Sequence, residues 1–155
     1  MAFSAHMKID GIPGPLTSPQ YVDCIIICSF RLGTAQPVSI TASSAGGATA
    51  EQANFPLVTI SKQVDVASPK LWEASFTGRH IKEIVIDMDN FVIKMEQVLI
   101  VNFDQAPDDW RLIEKVSFSP GKITMDYTHR NIENGEFIRT VSAGWNSPAN
   151  EVAWS

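Results

Sequence analysis

The chain lacks any long apolar run. The longest stretches of consecutive apolar residues, Cys24–Cys28 and Val98–Val101, span only four or five positions. A membrane-spanning helix needs roughly 18 or more apolar residues in a row, so we expect no insertion into a membrane. The first ten residues also lack a basic start followed by an apolar stretch of roughly 7 to 15 residues, which is the pattern of a secretory signal peptide. We therefore expect synthesis and folding in the cytoplasm.

Residues that commonly bind metals are scarce, with only two cysteines and three histidines in 155 residues. His6, His80 and His129 are far apart in the sequence, and none has a Cys or His partner at metal-ligand spacing. If Cys24 and Cys28 lie on one strand, their Cα atoms are roughly 13 Å apart, beyond the roughly 7 Å that a disulfide allows. We expect both cysteines to be small core residues, and we expect no metal and no cofactor.

Motifs of catalytic chemistry are also missing. Gly46 and Gly47 lack the following lysine and the strand-to-helix context of a phosphate-binding loop, and no serine occupies a nucleophile elbow. Asp87 and Asp89 share one face, as an acid and base pair would, but Asp is common at hairpin turns for conformational reasons. We favour the turn and expect that the protein is not an enzyme.

Positive charge is in short supply. The chain has 12 Lys and Arg against 17 Asp and Glu, which gives a formal net charge of −5. Nucleic-acid interfaces are built from clustered Lys and Arg because they neutralise phosphates. We expect no nucleic-acid partner.

The chain does contain enough apolar residues, 45% of the total, for a substantial core. A protein of this size buries roughly 70% of the surface of its unfolded chain, so we expect residues 1–155 to form a single domain. Apolar and polar residues alternate with a period of two along most of the sequence, as in half-buried strands. The predicted strands are residues 3–9, 21–32, 55–63, 83–88, 91–103, 112–118, 123–127 and 137–145.

Turn signals separate these strands. Asp89 and Asn90 predict one hairpin turn, Ser119–Gly121 a second, and Asn134 with Gly135 a third. Residues 104–109 are predicted to form a polar loop. About eight strands and one helix indicate a mainly β fold, either a barrel or a sandwich.

One helix and one long loop complete the predicted elements. The helix is expected over Pro69–Thr77, with Ser68 as its N-cap and Gly78 as its left-handed C-terminal stop. Residues 33–54 show no periodicity and include a run of small residues. A loop of this length is either functional or disordered.

The strand predicted at residues 21–32 has two apolar faces. Ile26 lies on one face with the cysteines, and Ile25 and Ile27 lie on the other. Each face must be covered by a second sheet, by the helix or by another subunit.

Four stretches of this sequence resemble the Hcp family (haemolysin-coregulated protein), the tube proteins of bacterial type VI secretion systems. The resemblance extends over nearly the whole chain, and the second stretch is the most specific. The stretches are MAFSAHMKIDGIPG at 1–14, VDVASPKLWEASFTGRHI at 64–81, EKVSFSPGKITMDYT at 114–128 and NGEFIRTVSAGWN at 134–146.

The resemblance implies a compact β-barrel of two antiparallel sheets with one flanking helix and a long extended loop. It implies a structural function, in which six copies form a ring and rings stack into a hollow tube. It further implies that a contractile sheath drives this tube outward beneath a spike protein, and that the lumen holds effector proteins. The protein would then be exported without a signal peptide, either to the medium or into a target cell.

The resemblance also implies contact residues. In the family the long loop after the second strand reaches toward neighbouring rings or subunits, and a ring exposes apolar surface to its neighbours. We therefore expect Ile25 and Ile27 to contribute to a subunit contact, unless the chain itself covers them. The loop residues expected to mediate ring stacking or subunit contact are Thr41, Ala42, Ser43, Ser44, Ala45, Gly46, Gly47, Ala48, Thr49, Ala50 and Glu51.

Two other function classes remain open from the residues alone. One is a monomeric barrel that binds a small apolar ligand in its mouth, although a barrel of eight strands with bulky residues is usually filled by its own side chains. The other is a hydrolase that uses His129 and Asp126, but these residues have opposite parity on a strand.

Overall fold

The protein is described here by a computed structural model covering residues 5–35, 38–39, 49–50, 55–146 and 151–152. These ranges contain eleven strands and one α-helix, so the expected mainly β class is confirmed. The elements are β1 (Ala5–Ile9), β2 (Ile25–Ile27), β3 (Ser29–Ala35), β4 (Val38–Ser39), β5 (Thr49–Ala50), β6 (Phe55–Gln63), α1 (Ser68–Thr77), β7 (Ile81–Asp87), β8 (Phe91–Asp108), β9 (Arg111–Arg130), β10 (Phe137–Asn146) and β11 (Glu151–Val152).

Nine of these strands form one antiparallel sheet rather than the two sheets expected. The pairing order is β11-β10-β9-β8-β7-β1-β2, and β6 branches from β9 to pair with β3. Strand pairing within the described ranges does not close the sheet, so the expected barrel is not confirmed. A separate two-stranded sheet is formed by β4 and β5.

The sheet branches because β9 is long enough for its two halves to pair with different strands, while β8 pairs with both halves. β8 has 18 residues and β9 has 20. The first half of β9 pairs with β6, and its second half pairs with β10, while β8 pairs with it along both halves. One continuous ribbon therefore replaces the three strands, the loop and the turn that the sequence predicted in this region.

The turn expected at Ser119–Gly121 is absent, and β9 runs straight through these residues. Pro120 pairs with Val98 on β8, and Gly121 faces Gln97, which has a positive φ of 52°. A Cβ atom at Gly121 would lie 3.0 Å from the Gln97 Cβ atom. The Pro-Gly pair thus lies within a continuous ladder, opposite the irregular backbone of Gln97, rather than at a reversal of the chain.

The side of the β8–β9 ribbon that faces the core changes at Gln97. Before Gln97 the fully buried residues of β8 are odd-numbered, Ile93 and Met95, and after it Val98 and Ile100 are buried. The ribbon therefore presents opposite sets of residues to the core in its two halves, and on β9 this change separates the two strands predicted at residues 112–118 and 123–127.

The polar loop expected at residues 104–109 is also wrong, because β8 continues to Asp108. The ladder extends to the pair Asp108 and Arg111. The chain reverses at Asp109, with φ 61°, and at Trp110. The polar residues are accommodated because both faces of this end of the hairpin are largely exposed.

Helix α1 lies close to its predicted position but begins differently. Its N-cap is Ala67, which makes no side-chain cap hydrogen bond, and Ser68 is the first helical residue. The Asp65 carboxylate accepts a 2.8 Å hydrogen bond from the Ala67 amide. Gly78 ends the helix with a φ of 70°, as predicted.

The helix packs through one narrow face onto the sheet. Leu71 and Ala74 are buried on this face. The core continues over the inner faces of the large sheet. Its buried members are Ala5, Met7, Ile9, Ile12, Ile25, Ile27, Val58, Ile60, Ala67, Leu71, Ala74, Ile81, Ile84, Ile86, Ile93, Met95, Val98, Ile100, Val116, Phe118 and Ile123.

Gly14 is required where the segment after β1 passes close to Cys24. A Cβ atom at this position would overlap the Cys24 carbonyl oxygen and lie 2.6 Å from the Cγ1 atom of buried Ile25. We expect Gly14→Ala to lower the free energy of unfolding by about 1 to 3 kcal/mol, because a rigid backbone must shift. Urea denaturation measures the change.

Gly33→Ala is the matched control for this prediction. Nothing lies within 4 Å of a Cβ atom built at Gly33, on strand β3. We expect this variant to change the free energy of unfolding by less than about 1 kcal/mol, with a slight gain from strand propensity. Equal effects of the two substitutions would contradict the steric argument.

Candidate assembly surfaces

His6 and the two aspartates of the predicted turn take part in local structural contacts. No group of three or more His, Cys, Asp or Glu side chains among the described residues is arranged to hold a metal ion. The imidazole of His6 stacks on the ring of Tyr21, with centroids 3.7 Å apart. The Asp87 carboxylate accepts a 2.9 Å hydrogen bond from the amide of Asp89, whose φ is 70°. The interpretation of these two aspartates as turn residues is confirmed.

The two cysteines are free thiols. Cys24 is buried, as expected of a core residue, whereas Cys28 is only half-buried. Burial raises the pKa of the Cys24 thiol, and the nearby Lys8 ammonium opposes this increase. Within the described ranges, no helix is long and apolar enough to cross a membrane.

The loop expected at residues 33–54 is partly replaced by strands. β3 extends to Ala35, and Val38–Ser39 pairs with Thr49–Ala50 as a small hairpin-like sheet. Residues 41–48 and Glu51 of the expected contact loop lie outside the described residues. Its assignment to ring contacts therefore stays a prediction.

Ile25 and Ile27 are core residues of this chain. Both have 0% exposure, and β2 pairs with β1 so that these side chains face the core. The exposed member of the strand is Ile26, at 46%. The chain itself therefore covers the face that carries Ile25 and Ile27, and the expectation of a subunit contact through these two residues is corrected.

A buried charged network connects β6, β9 and the start of α1. The Lys62 Nζ atom lies 2.6 Å from Glu114 Oε2, and both side chains are completely buried. Lys62 also lies 3.0 Å from Asp65 Oδ1 and donates to the Ser68 hydroxyl at 3.2 Å. The Gln105 amide donates to Glu114 Oε1 at 2.7 Å. Every charge in the network has partners, as burial requires.

The sequence predictions missed this network, although the alternation of residues contains a signal for it. Glu114 alternates in phase with buried Val116 and Phe118, and Lys62 alternates in phase with buried Val58 and Ile60. A carboxylate and an ammonium at inward positions on neighbouring strands are expected to pair, because a buried charge without a partner is costly. What the sequence does not give is the register that places Lys62 directly opposite Glu114.

The surface carries many large apolar side chains. Trp72 and Phe76 form an edge-to-face pair on the outer side of α1, with ring centroids 4.9 Å apart. The large apolar residues with at least two fifths of their surface exposed are Val22, Ile26, Leu57, Val64, Val66, Trp72, Phe76, Val101, Trp110, Leu112, Tyr127, Ile132, Phe137, Ile138 and Val141. Singly exposed apolar residues are common on protein surfaces, so the Trp72 and Phe76 pair, whose rings are in contact, is the more informative feature.

A concave polar surface, which we call the β3–β6 face, lies on the outer side of β3, β6 and β9. Hydroxyl pairs connect its strands, with 2.9 Å between Thr59 Oγ1 and Ser117 Oγ and 2.5 Å between the Oγ atoms of Ser29 and Ser61. Its cavity measures about 790 Å³. The lining residues are Ser29, Arg31, Gly33, Thr34, Leu57, Thr59, Lys115 and Ser117.

A smaller apolar cleft lies between the ends of β3 and β6 and strands β9 and β10. Its volume is about 210 Å³. Apolar side chains dominate its walls, among them Leu32, Pro56, Met125 and Trp145. The cleft is of a size that admits one small apolar group.

Comparison with known proteins identifies the family. The family model described as "Type VI secretion system effector, Hcp" matches residues 6–127. A comparison with curated proteins gives no match.

Solved structures share the fold over nearly the full length. The crystal structure of Hcp1 from Salmonella typhimurium matches with a TM-score of 0.75 and 20% identity, covering 99% of this chain and 100% of that one. A type VI secretion system effector from Yersinia pestis matches with a TM-score of 0.70 and 24% identity, covering 92% and 98% of the two chains. Because the family model spans most of the sequence, the chain belongs to the Hcp family of type VI secretion system proteins.

Proposed function

We propose that the protein is a structural subunit of the type VI secretion tube. Six copies form a ring, rings stack into a hollow tube, and a contractile sheath propels this tube beneath a spike protein. The protein is exported by this route and carries effectors in the lumen. In this assembly the whole chain acts as one tube domain whose sheet closes into a barrel.

The observation that carries this proposal is the family match over residues 6–127. The full-length agreement with Hcp structures adds that the fold is kept from β1 to the last strands. The adjacent exposed rings of Trp72 and Phe76 on α1 add an apolar surface that a neighbouring copy can cover. A ring with a single axis needs two different surfaces on each subunit, because its contacts are heterologous.

We further propose that residues Thr41–Glu51 mediate contacts between stacked rings. β4 precedes this segment and β5 lies within it, and its small residues place few steric limits on a neighbouring subunit. Replacing residues 41–51 with a short Gly/Ser linker is expected to reduce stacking severalfold while the thermal unfolding midpoint of the domain stays within a few degrees. Cysteine crosslinking between rings measures stacking, and unchanged crosslinking would contradict the assignment.

A second candidate function is the binding of a small apolar ligand, which the cleft of about 210 Å³ favours. Trp145 lines this cleft, so a bound apolar molecule should shift the emission of its indole. Titration with small apolar compounds, repeated with Trp145→Phe, tests this function. A saturable shift that disappears in the variant would support it, and no shift would exclude this use of the cleft.

A further inference from the structure

The β3–β6 face concentrates positive charge in an acidic chain. Arg31 and Lys115 are both exposed on it, two strand spacings apart across the sheet and two residues apart along it, which is roughly 12 Å. In the described ranges neither forms an ion pair. Asp104, which is opposite Lys115 in the ladder, also forms none with it. Two unpaired cations beside rows of hydroxyl groups are suited to bind carboxylates.

The tip of the β8–β9 hairpin has the complementary character. Asp108 and Asp109 are exposed there, and within the described part of the chain neither has an ion-pair partner. Trp110 follows them with 79% of its surface exposed, and the Arg111 guanidinium lies 5.8 Å from the centroid of its ring. An indole at a protruding turn is a typical anchor residue of a protein interface.

We propose that the hairpin tip of one copy docks into the β3–β6 face of the next copy in the ring. This inference rests on the proposed function, since a ring requires two different surfaces that fit each other. The tip is convex and acidic, and the face is concave and basic. The carboxylates of Asp108 and Asp109 meet Arg31 and Lys115.

The floor of the face leaves room for the indole of Trp110. Gly33 has no side chain, and a Cβ atom there would have open space around it. Leu57, its cross-strand partner, is 41% exposed and offers an apolar surface beside it. Trp110 of one copy covers Gly33 and Leu57 of its neighbour, which removes apolar area of both copies from water.

Paired charge reversals test this contact in the full chain. The face variant is Arg31→Glu with Lys115→Glu. The tip variant is Asp108→Lys with Asp109→Asn, because Asn tolerates the positive φ of position 109. We expect each variant alone to raise the concentration at which half of the chains are assembled by at least about tenfold. An equimolar mixture should recover assembly, because each tip then meets a face of opposite charge.

Two uncharged variants probe the same contact without a change of charge. Gly33→Leu fills the floor of the face, and Trp110→Ala removes the anchor. Both positions have free space or high exposure, so thermal unfolding should stay unchanged while assembly weakens by at least about tenfold.

The outcomes separate the contact from the proposed function. If the unmodified chain assembles and the variants assemble equally well, or if the mixture fails to recover, the contact is wrong and the tube function stands. If the unmodified chain remains monomeric at every concentration, the ring itself is refuted and the contact with it. Weakened single variants with a recovered mixture support the contact.

Discussion

Glu114→Leu is expected to lower the free energy of unfolding by about 3 to 5 kcal/mol. The substitution leaves the Lys62 ammonium fully buried without the carboxylate that lies 2.6 Å away. Asp65 remains 3.0 Å from Lys62 but is partly exposed and cannot replace Glu114. The Gln105 amide also loses its acceptor. Chemical denaturation with urea measures the loss.

Two controls separate the cost of an unpaired charge from other effects. Glu83→Leu removes one partner of an exposed ion pair, in which Lys94 Nζ and Glu83 Oε2 are 3.5 Å apart, and should cost less than about 1 kcal/mol. The double variant Lys62→Met with Glu114→Leu removes both buried charges, and we expect it to be more stable than Glu114→Leu alone. If the double variant is as unstable as the single one, the buried ammonium left without Glu114 is not the cause of the lost stability.

Phe118→Ala is expected to cost about 3 to 5 kcal/mol of unfolding free energy. Phe118 is fully buried on β9, where this strand pairs with Val58 of β6 and with Ile100 of β8. The ring therefore fills the core at the branch point of the sheet, where backbone on both sides limits the collapse of a cavity. Urea denaturation followed by circular dichroism measures the effect.

Phe76→Ala is the matched control, since Phe76 is 62% exposed on α1 and contacts mainly Trp72. The loss there should not exceed about 1.5 kcal/mol, the range of an aromatic pair. Similar losses of unfolding free energy for Phe118→Ala and Phe76→Ala would contradict the central position of Phe118 in the core.

The positions of most elements follow from the sequence because local rules determine them. Alternation predicts β6 at its observed bounds, and Gly78 ends the helix where a left-handed residue is required. The predicted hairpin turn at Asp89 is confirmed by its positive φ. Each of these features depends on a few neighbouring residues.

The errors occur where long-range pairing overrides local signals. Pro120 and Gly121 are typical of a turn, yet ladder pairing with β8 carries β9 through them. The polar residues 104–108 stay in a strand for the same reason. Cys28 interrupts the strand predicted at residues 21–32, because the chain passes there from pairing with β1 to pairing with β6, and the Cys28 amide donates to the Ser61 carbonyl at 2.7 Å.

The candidate site was less predictable than the fold. The β3–β6 face combines residues from three strands that are distant in the sequence, and only the register of these strands places Arg31 and Lys115 on the same side. The burial of Ile25 and Ile27 likewise depends on which partners cover each face of β2. The proposed function rests on the family match, and the surfaces follow from the pairing of the strands.

The mass of the purified chain in solution tests the central claim most directly. Light scattering after size-exclusion chromatography, with negative-stain images of the same peak, measures both the stoichiometry and the shape. We predict annular particles of six copies of 17.0 kDa, about 102 kDa. A species of 17.0 kDa at high protein concentration, without rings in the images, would contradict the account.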